Sequence, residues 1–246
     1  GAAGTASIRI GVSAIILLLA YRPNLKTITK EQWKVVIPYG FSLGAMNLIF
    51  YFSIKRIPIG LAVTLEFIGP LLLAIIGSKR LMDYFWVVLA AIGILLIAPW
   101  TNERLDSLGV IFALLAGALW AAYIVFGGKI SKILNEGTAV STGMLLAAIL
   151  VLPFGIFENG LANLTPRLFG MGFALALLSS AIPFTLEMKA LGKLPPRTFS
   201  ILMSLEPAAA SICAFIFLNE NLSFYEILAV VCVVVASAGS TLTSKK

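Results

Sequence analysis

Long apolar runs separated by short polar gaps occupy almost the whole chain. Each run has the length of about 17 to 25 residues that is needed to cross a hydrocarbon core of about 30 Å. Nine such runs lie near residues 3–21, 34–54, 59–78, 84–100, 108–126, 138–157, 168–191, 198–218 and 223–243. The longest polar gap, from Arg22 to Trp33, is too short for a soluble domain. The pattern therefore predicts an all-α integral membrane protein with nine visible transmembrane helices.

The third and eighth runs carry copies of one motif. A shift of 137 residues along the chain places Pro58 on Pro195 and Pro70 on Pro207. Such a fixed offset indicates an internal repeat. Because the two copies are five helices apart, an odd number, they cross the membrane in opposite directions. The sequence thus predicts inverted repeats, the architecture of many secondary transporters.

The helix count also divides the chain into two repeats. If each repeat has five helices, residues 101–246 form the second repeat with helices 6 to 10 of the full fold. Residues 1–100 then form a first repeat with helices 2 to 5 only. We therefore expect a ten-helix fold whose first helix is missing from this sequence, and the start at Gly1 without a methionine agrees with that expectation.

Composition and charge place the chain in a bilayer. Hydrophobic residues make up 60% of the sequence and charged residues only 12%, about half the charged share of a soluble protein. The net charge of +7 sits in the short gaps and forms no basic stripe, so no nucleic-acid partner is predicted. One side of the membrane carries 13 Lys and Arg residues and the other carries four, with Arg9 inside a span. The richer side should be cytoplasmic, together with the C-terminus.

The residue types present narrow the chemistry. The sequence contains no histidine, which excludes histidine zinc sites and histidine proton relays and leaves carboxylates as proton carriers. Cys213 and Cys232 both lie inside apolar runs and are predicted to pack as small apolar side chains. No metal or cofactor is predicted.

Four charged residues fall inside the spans, where each costs several kcal/mol and suggests function. From the helix rise, Arg9 and Glu66 lie roughly 9 to 10 Å from the outer ends of their helices, whereas Glu206 and Glu187 lie roughly 12 and 6 Å from the cytoplasmic ends. Structural alternatives stay open for two of them. Arg9 either binds substrate or has a structural role, as a snorkelling side chain or as the partner of Glu66 in an ion pair. Glu187 is either a coupling group or a carboxylate that faces the cytoplasm.

Prolines and polar or aromatic residues complete the predicted site. A proline frees the carbonyl four residues earlier, and such carbonyls are tolerated at membrane depth where they line a cavity. The predicted hinges are Pro70, Pro183 and Pro207, which free the carbonyls of Glu66, Ser179 and Met203; kinks that serve packing alone are the alternative. Asn47, Tyr51, Trp120 and Tyr123 are predicted to line a pocket as a group, or else to make ordinary helix contacts.

The sequence resembles the drug/metabolite transporter superfamily, and within it the EamA-type transporters with ten helices in two inverted five-helix repeats. The matching segments are Tyr39–Asn47, Leu65–Pro70, Phe85–Ala90, Leu186–Leu191, Leu194–Phe199, Met203–Ala208 and Ser237–Thr243. Its greatest similarity is to the bacterial exporters of threonine and homoserine. The resemblance implies export of small amino acids, in exchange for protons, across a bacterial inner membrane. Export of other metabolites or aromatic amino acids, and facilitated diffusion without proton coupling, stay open as alternatives.

The leading hypothesis is a transporter for a zwitterion, which needs a cation for its carboxylate and an anion or carbonyls for its ammonium group. The predicted substrate-binding residues are Arg9, Asn47, Tyr51, Glu66, Trp120, Tyr123, Ser179 and Met203. The predicted proton-coupling residues are Glu66, Glu206 and Glu187. An intramembrane aspartyl enzyme is disfavoured because Asp83 and Asp106, the only aspartates, are both expected in loops. A structural membrane protein without substrate is the third class, and the sequence predicts no oligomeric state.

Overall fold

The computed structural model describes residues 2–78, 80–97, 106–157, 166–206, 208–209, 212, 216 and 223–244. Regular structure in these residues is helical throughout. The helices are α1 (Ala2–Tyr21), α2 (Lys30–Ile54), α3 (Ile59–Glu66), α4 (Ile68–Gly77), α5 (Leu81–Ile97), α6 (Ser107–Ile130), α7 (Glu136–Phe157), α8 (Pro166–Ala176), α9 (Ile182–Lys193), α10 (Pro196–Met203) and α11 (Phe224–Ser244). A 3₁₀ turn covers Leu25–Thr27, and a π-helical turn, Leu177–Ala181, joins α8 to α9.

Six helical segments in the described part of the chain are long and apolar enough to cross a membrane. They are α1, α2, α6 and α7, together with α3–α4 and α8–α9 taken as continuous pairs. Two shorter apolar segments, Leu81–Leu96 and Ile227–Ser240, lie within α5 and α11. The predicted run 198–218 is described only in part. The prediction of an all-helical integral membrane protein is confirmed.

The two copies of the sequence motif have the same local structure. Both bounds of α10 (Pro196–Met203) lie 137 residues after the corresponding bounds of α3 (Ile59–Glu66). Each helix is then interrupted for one residue, at Phe67 and at Ser204, before helical structure resumes. In the first copy the cause is Pro70, because a proline cannot donate a hydrogen bond to the carbonyl four residues before it.

Small residues allow α2 to pack closely against α7. A Cβ atom added at Gly40 would lie 2.5 Å from Cβ of Leu146, and one added at Gly44 would lie 2.8 Å from Cα of Ala147. A side chain at either position would push the helices apart. Spacing of glycines at i and i+4 favours such close contact between membrane helices.

The largest group of buried apolar residues lies where α2, α6, α7 and α9 meet. Its fully buried large side chains include Tyr39, Tyr123, Met188 and Leu191. The Tyr39 and Tyr123 rings stack with their centres 5.3 Å apart. These residues fill the end of the bundle away from the α2–α3 turn, which leaves room for a cavity between that turn and the bundle centre.

Candidate functional site

A cavity of about 660 Å³ lies in the middle of the bundle, within the size range of pockets that bind small molecules. Its polar lining consists of Arg9, Asn47, Tyr51, Glu66, Ser179, Glu187 and Glu206. Its apolar lining consists of Met46, Phe50, Ile54, Ile59, Trp120, Leu178, Pro183, Phe184 and Met203. Because Ile54 ends α2 and Ile59 begins α3, the cavity extends from the bundle centre toward the membrane face that carries the α2–α3 turn.

Arg9 is held by a neutral side chain. Its Nη2 group donates a hydrogen bond to Oδ1 of Asn47, and Asn47 donates from Nδ2 to the Leu43 carbonyl at 2.8 Å. Cζ of Arg9 lies 5.7 Å from the centre of the Tyr51 ring, within the range of a cation–π contact. Among the described residues, Arg9 has no ion pair with a carboxylate. The alternative of an ion pair between Arg9 and Glu66 is therefore not what the structure shows.

Three carboxylates share the cavity with this cation. Glu66 ends α3 and is close enough to both Arg9 and Glu206 for electrostatic interaction. Glu187 lines the cavity from α9, so the alternative of a carboxylate facing the cytoplasm does not hold. The cavity thus offers one guanidinium and three carboxylates to a molecule inside it.

Glu187 connects the cavity to the packed end of the bundle. The Tyr123 hydroxyl donates a hydrogen bond to Oε2 of Glu187 at 3.0 Å. Tyr123 is fully buried, and its ring lies between Tyr39 and Phe184, with ring centres 5.3 and 5.8 Å away. Tyr123 therefore lies behind the cavity wall and touches the site through Glu187.

Trp120 and Ser179 line different parts of the cavity wall. The Trp120 ring packs edge to face against Phe67, with ring centres 4.8 Å apart, and only 7% of the residue is exposed. This contact places the aromatic wall directly beside the break between α3 and α4. Ser179 lies in the π-helical turn and donates its hydroxyl proton to the Leu175 carbonyl at 2.8 Å.

The predicted hinge prolines differ in their surroundings. Pro70 is buried, and the carbonyl that it frees at Glu66 packs against Gly117 of α6, where a Cβ atom would come within 2.3 Å of the oxygen. The carboxylate of Glu66, rather than its carbonyl, is therefore the group to consider in the cavity. Pro183 follows the π-helical turn, in which the Ile182 N–H bonds to the Leu177 carbonyl. Pro207 lies outside the described residues.

Sequence reasoning missed most of the apolar wall. Phe50 and Ile54 follow Met46 at helical spacing of four residues on α2. That spacing, extended from the predicted Asn47 and Tyr51, was the signal that could have found them. Phe184 lies next to the predicted Pro183, and Ile59 lies next to Pro58 of the repeated motif, but neither side chain has a polar atom that would suggest a binding role.

Ion pairs link the two halves of the chain at both ends of the bundle. Arg197, at the start of α10, donates to Oδ2 of Asp83 at 2.6 Å, and the pair is largely buried. At the other end, Arg56 bonds to Asp106 at 2.9 Å in an exposed pair. The expectation that both aspartates lie in loops is wrong for Asp83, which lies in the first turn of α5 because its carboxylate accepts the Arg80 backbone N–H. Asp106 is the N-cap of α6.

Comparison with known proteins agrees with this geometry. A family model described as the EamA-like transporter family matches residues 107–242. The threonine/homoserine exporter RhtA of Salmonella typhimurium (strain SL1344) is 42% identical over 248 residues, which cover 100% of this chain and 84% of that protein. The protein of the same name from Escherichia coli (strain K12) has the same identity and coverage.

More distant similarities extend over most of the chain. The uncharacterized transporter YwfM of Bacillus subtilis (strain 168) is 26% identical over 230 residues, which cover 89% of this chain and 77% of that protein. A solved crystal structure with 17% sequence identity superposes with a TM-score of 0.78 and covers 100% of this chain and 88% of its own. This helical fold therefore occurs in an experimentally determined structure.

Proposed function

The chain belongs to the EamA-like transporter family, and from that premise we propose that it exports small amino acids, threonine and homoserine foremost, from the cytoplasm in exchange for protons. Two relatives that are named threonine/homoserine exporters match the whole chain at 42% identity. The proposed location is the bacterial inner membrane, with the C-terminus in the cytoplasm as the distribution of Lys and Arg predicts.

The observation that carries this proposal is the unpaired guanidinium in the cavity. Arg9 bonds to a neutral amide and makes no direct ion pair within the described residues, although Glu66 and Glu206 are close enough to interact with its charge. A cation at membrane depth is costly unless it is compensated. The carboxylate of an amino acid supplies that compensation, and Glu66 and Glu206 offer anionic oxygens to its ammonium group.

Helices α3 and α10 begin and end at positions that differ by the repeat offset of 137 residues, and this match supports an inverted-repeat architecture. We assign residues 1–100 to the first repeat and residues 101–246 to the second, within the ten-helix plan expected from the sequence. The matching helix breaks at Phe67 and Ser204 then occur at equivalent depths on opposite sides of the site. Two such breaks beside one cavity suit a mechanism in which each repeat opens in turn.

The packed end of the bundle indicates which side of the membrane the cavity opens to. The cavity reaches the face with the α2–α3 turn, which the distribution of basic residues assigns to the outside. Tyr39 and Tyr123 close the other end. With this orientation, the proposed state is outward-facing, and substrate leaves and protons enter from it.

Proton exchange is assigned to the cavity carboxylates. Glu66, Glu187 and Glu206 all line the cavity and are reached from the same side as the substrate. Competition between a proton and the substrate ammonium group for one carboxylate couples their movements in opposite directions. Each amino acid that leaves is replaced by at least one proton on these groups.

Transport into proteoliposomes tests the proposal. Vesicles with an acidic lumen should accumulate labelled threonine and homoserine, because outward proton flow drives amino-acid uptake through an exchanger. Glu66→Gln and Glu206→Gln should each reduce this accumulation at least tenfold. Glu31→Gln, at an exposed position on α2, is the matched control and should transport normally.

Two outcomes would contradict parts of the proposal. Uptake that equilibrates threonine but ignores the pH gradient would replace exchange with facilitated diffusion. Absence of threonine and homoserine uptake in vesicles with verified protein content would remove the amino-acid assignment.

A further inference from the structure

The orientation of the Asn47 side chain is fixed from two sides. Its Nδ2 group donates to the Leu43 carbonyl at 2.8 Å, which requires the amide oxygen to point the other way. That oxygen accepts the hydrogen bond from Nη2 of Arg9. Because Asn47 is only 9% exposed, its amide has little room to turn, and its oxygen stays directed at the guanidinium.

The contacts of Arg9 position the guanidinium without neutralising it. Asn47 supplies an uncharged oxygen, and Tyr51 supplies an aromatic ring 5.7 Å from Cζ. Nε of Arg9 is buried and has no hydrogen-bond partner. A guanidinium has five N–H donors and binds carboxylates best in a two-bonded arrangement. The site therefore retains a positive charge that no direct contact neutralises.

An amide and a carboxylate of the same shape would give this site opposite properties. Aspartate at position 47 would reach Arg9 with one oxygen and form an ion pair. Its other oxygen could not donate to the Leu43 carbonyl, so the bond that Nδ2 of Asn47 makes there would be lost. In a site of low dielectric constant such a pair is much stronger than in water. Arg9 would then have its counter-ion within the protein, and a substrate carboxylate would have to compete with it.

We propose that Asn47 is a specificity-determining positioning residue: its neutral amide holds Arg9 in place while reserving the positive charge for the carboxylate of the substrate. This inference rests on the proposed function, since it assumes that the cavity binds amino acids. It assigns the selection of molecules with a carboxylate to the pair of Arg9 and Asn47. The ammonium group is selected separately, by the glutamates of the cavity.

The test compares the full chain with its Asn47→Asp variant in proteoliposomes. Two probes are used, L-threonine and L-threoninol, which has the ammonium and hydroxyl groups of threonine but no carboxylate. In the wild-type protein, threoninol should compete weakly with labelled threonine. In Asn47→Asp, the KM for threonine should rise at least tenfold, and the inhibition by threoninol should become stronger relative to that by unlabelled threonine.

Thermal unfolding of purified protein gives a readout that needs no transport. Asn47→Asp should unfold at a higher temperature than Asn47→Ala, because both variants lose the bond to the Leu43 carbonyl but only the aspartate gains an internal ion pair with Arg9. Asn47→Ala, which removes the hydrogen bond without adding charge, should unfold at a lower temperature. Gln32→Glu makes the same amide-to-carboxylate change in the first turn of α2, outside the cavity lining, and should alter neither threonine transport nor the threoninol comparison.

The outcomes separate this inference from the proposed function. Wild-type selectivity and KM in Asn47→Asp would overturn the inference while leaving amino-acid transport intact. An equal loss of threonine transport and threoninol competition would also overturn it, because Asn47 would then serve both ends of the substrate. If the wild-type protein transports no amino acid, the proposed function fails. An Asn47→Asp variant that is no more stable than Asn47→Ala would overturn the positioning role independently.

Discussion

At the end of the bundle that carries the α2–α3 turn, the mouth of the cavity lies beside a packed contact between α2 and α6, in which the Ser53 hydroxyl bonds to the Gly109 carbonyl. At the opposite end, packed side chains fill the space between the helices. The ion pairs show the same difference. The Arg56 and Asp106 side chains are 43% and 37% exposed, whereas those of Arg197 and Asp83 are 17% and 5% exposed. Both pairs join a residue of the first half to a residue of the second.

This comparison indicates which contacts a transport cycle must break. A transporter that exposes its site alternately to each side has to open the end that is now closed. Exposed ion pairs form and break at little cost, but a buried pair and a buried aromatic cluster do not. Under the proposed function, the packed end would set the energy difference between the two states. Substitutions there should have larger effects on stability than matched substitutions at the open end.

The largest effect is expected at the buried ion pair. Asp83→Asn would leave the Arg197 guanidinium buried without a counter-charge, a loss of about 3 kcal/mol of stability. Arg56→Gln removes one partner of the exposed pair and should leave the unfolding temperature almost unchanged. Thermal unfolding of both variants in detergent measures the difference. Equal unfolding temperatures would show that the two ends are energetically alike.

A second large effect is expected from added volume at the packed end. A methyl group at Gly143 would lie 2.1 Å from Cε1 of Tyr39, whereas nothing lies within 4 Å of the same position at Gly170. Gly143→Ala should destabilise the protein by about 2 kcal/mol through overpacking. Gly170→Ala, on α8, should be neutral or stabilising by up to about 1 kcal/mol because alanine favours the helix. Chemical unfolding of the two variants checks the sign of each change.

A smaller effect is expected where the cavity meets the packed end. Tyr123→Phe keeps the ring stack with Tyr39 but removes the hydroxyl that bonds to Glu187. The loss should be about 1 kcal/mol. Tyr51→Phe removes a hydroxyl that faces the cavity and should cost less. Thermal unfolding compares the two variants. If Tyr51→Phe is more destabilising than Tyr123→Phe, the hydrogen bond from Tyr123 to Glu187 does not stabilise the packed end.

The cost of a charged side chain in lipid explains how much of the site the sequence could predict. A charge inside an apolar run is costly wherever it faces lipid, so the sequence made Arg9, Glu66, Glu187 and Glu206 candidates for an interior site. It left structural alternatives open for Arg9 and Glu187. All four line one cavity. Position along a helix gives depth, however, and not the direction in which the side chain points.

The direction in which a side chain points determines which groups it contacts. Local sequence patterns do not specify that direction. Arg9 and Glu66 have similar predicted depths, yet Arg9 bonds to Asn47 on the neighbouring helix. The Arg197–Asp83 pair joins residues 114 positions apart and depends on how α10 packs beside α5. The stack of Tyr39 on Tyr123 likewise required the approach of α2 and α6. These contacts are tertiary, and helical periodicity predicts none of them.

The smallest effect in this comparison is a pH dependence at the open end. The hydrogen bond from Arg56, followed by that from the Leu108 backbone N–H, lowers the pKa of Asp106 below its usual value. The ionised carboxylate therefore favours the folded protein. This stabilisation is present above the unfolded pKa of about 4 and is lost as the pH falls through the lower folded value.

Asp106→Asn isolates this effect because asparagine keeps the cap of α6 but cannot titrate. Unfolding temperatures measured from pH 6 to pH 3 should differ slightly between the two proteins at pH 6 and converge as the pH falls. Arg56→Gln should behave in the same way, since it removes the cation that lowers the pKa. A difference that grows toward pH 3 would mean that the protonated carboxyl is the favoured form. The open end would then be held by a hydrogen bond rather than by an ion pair.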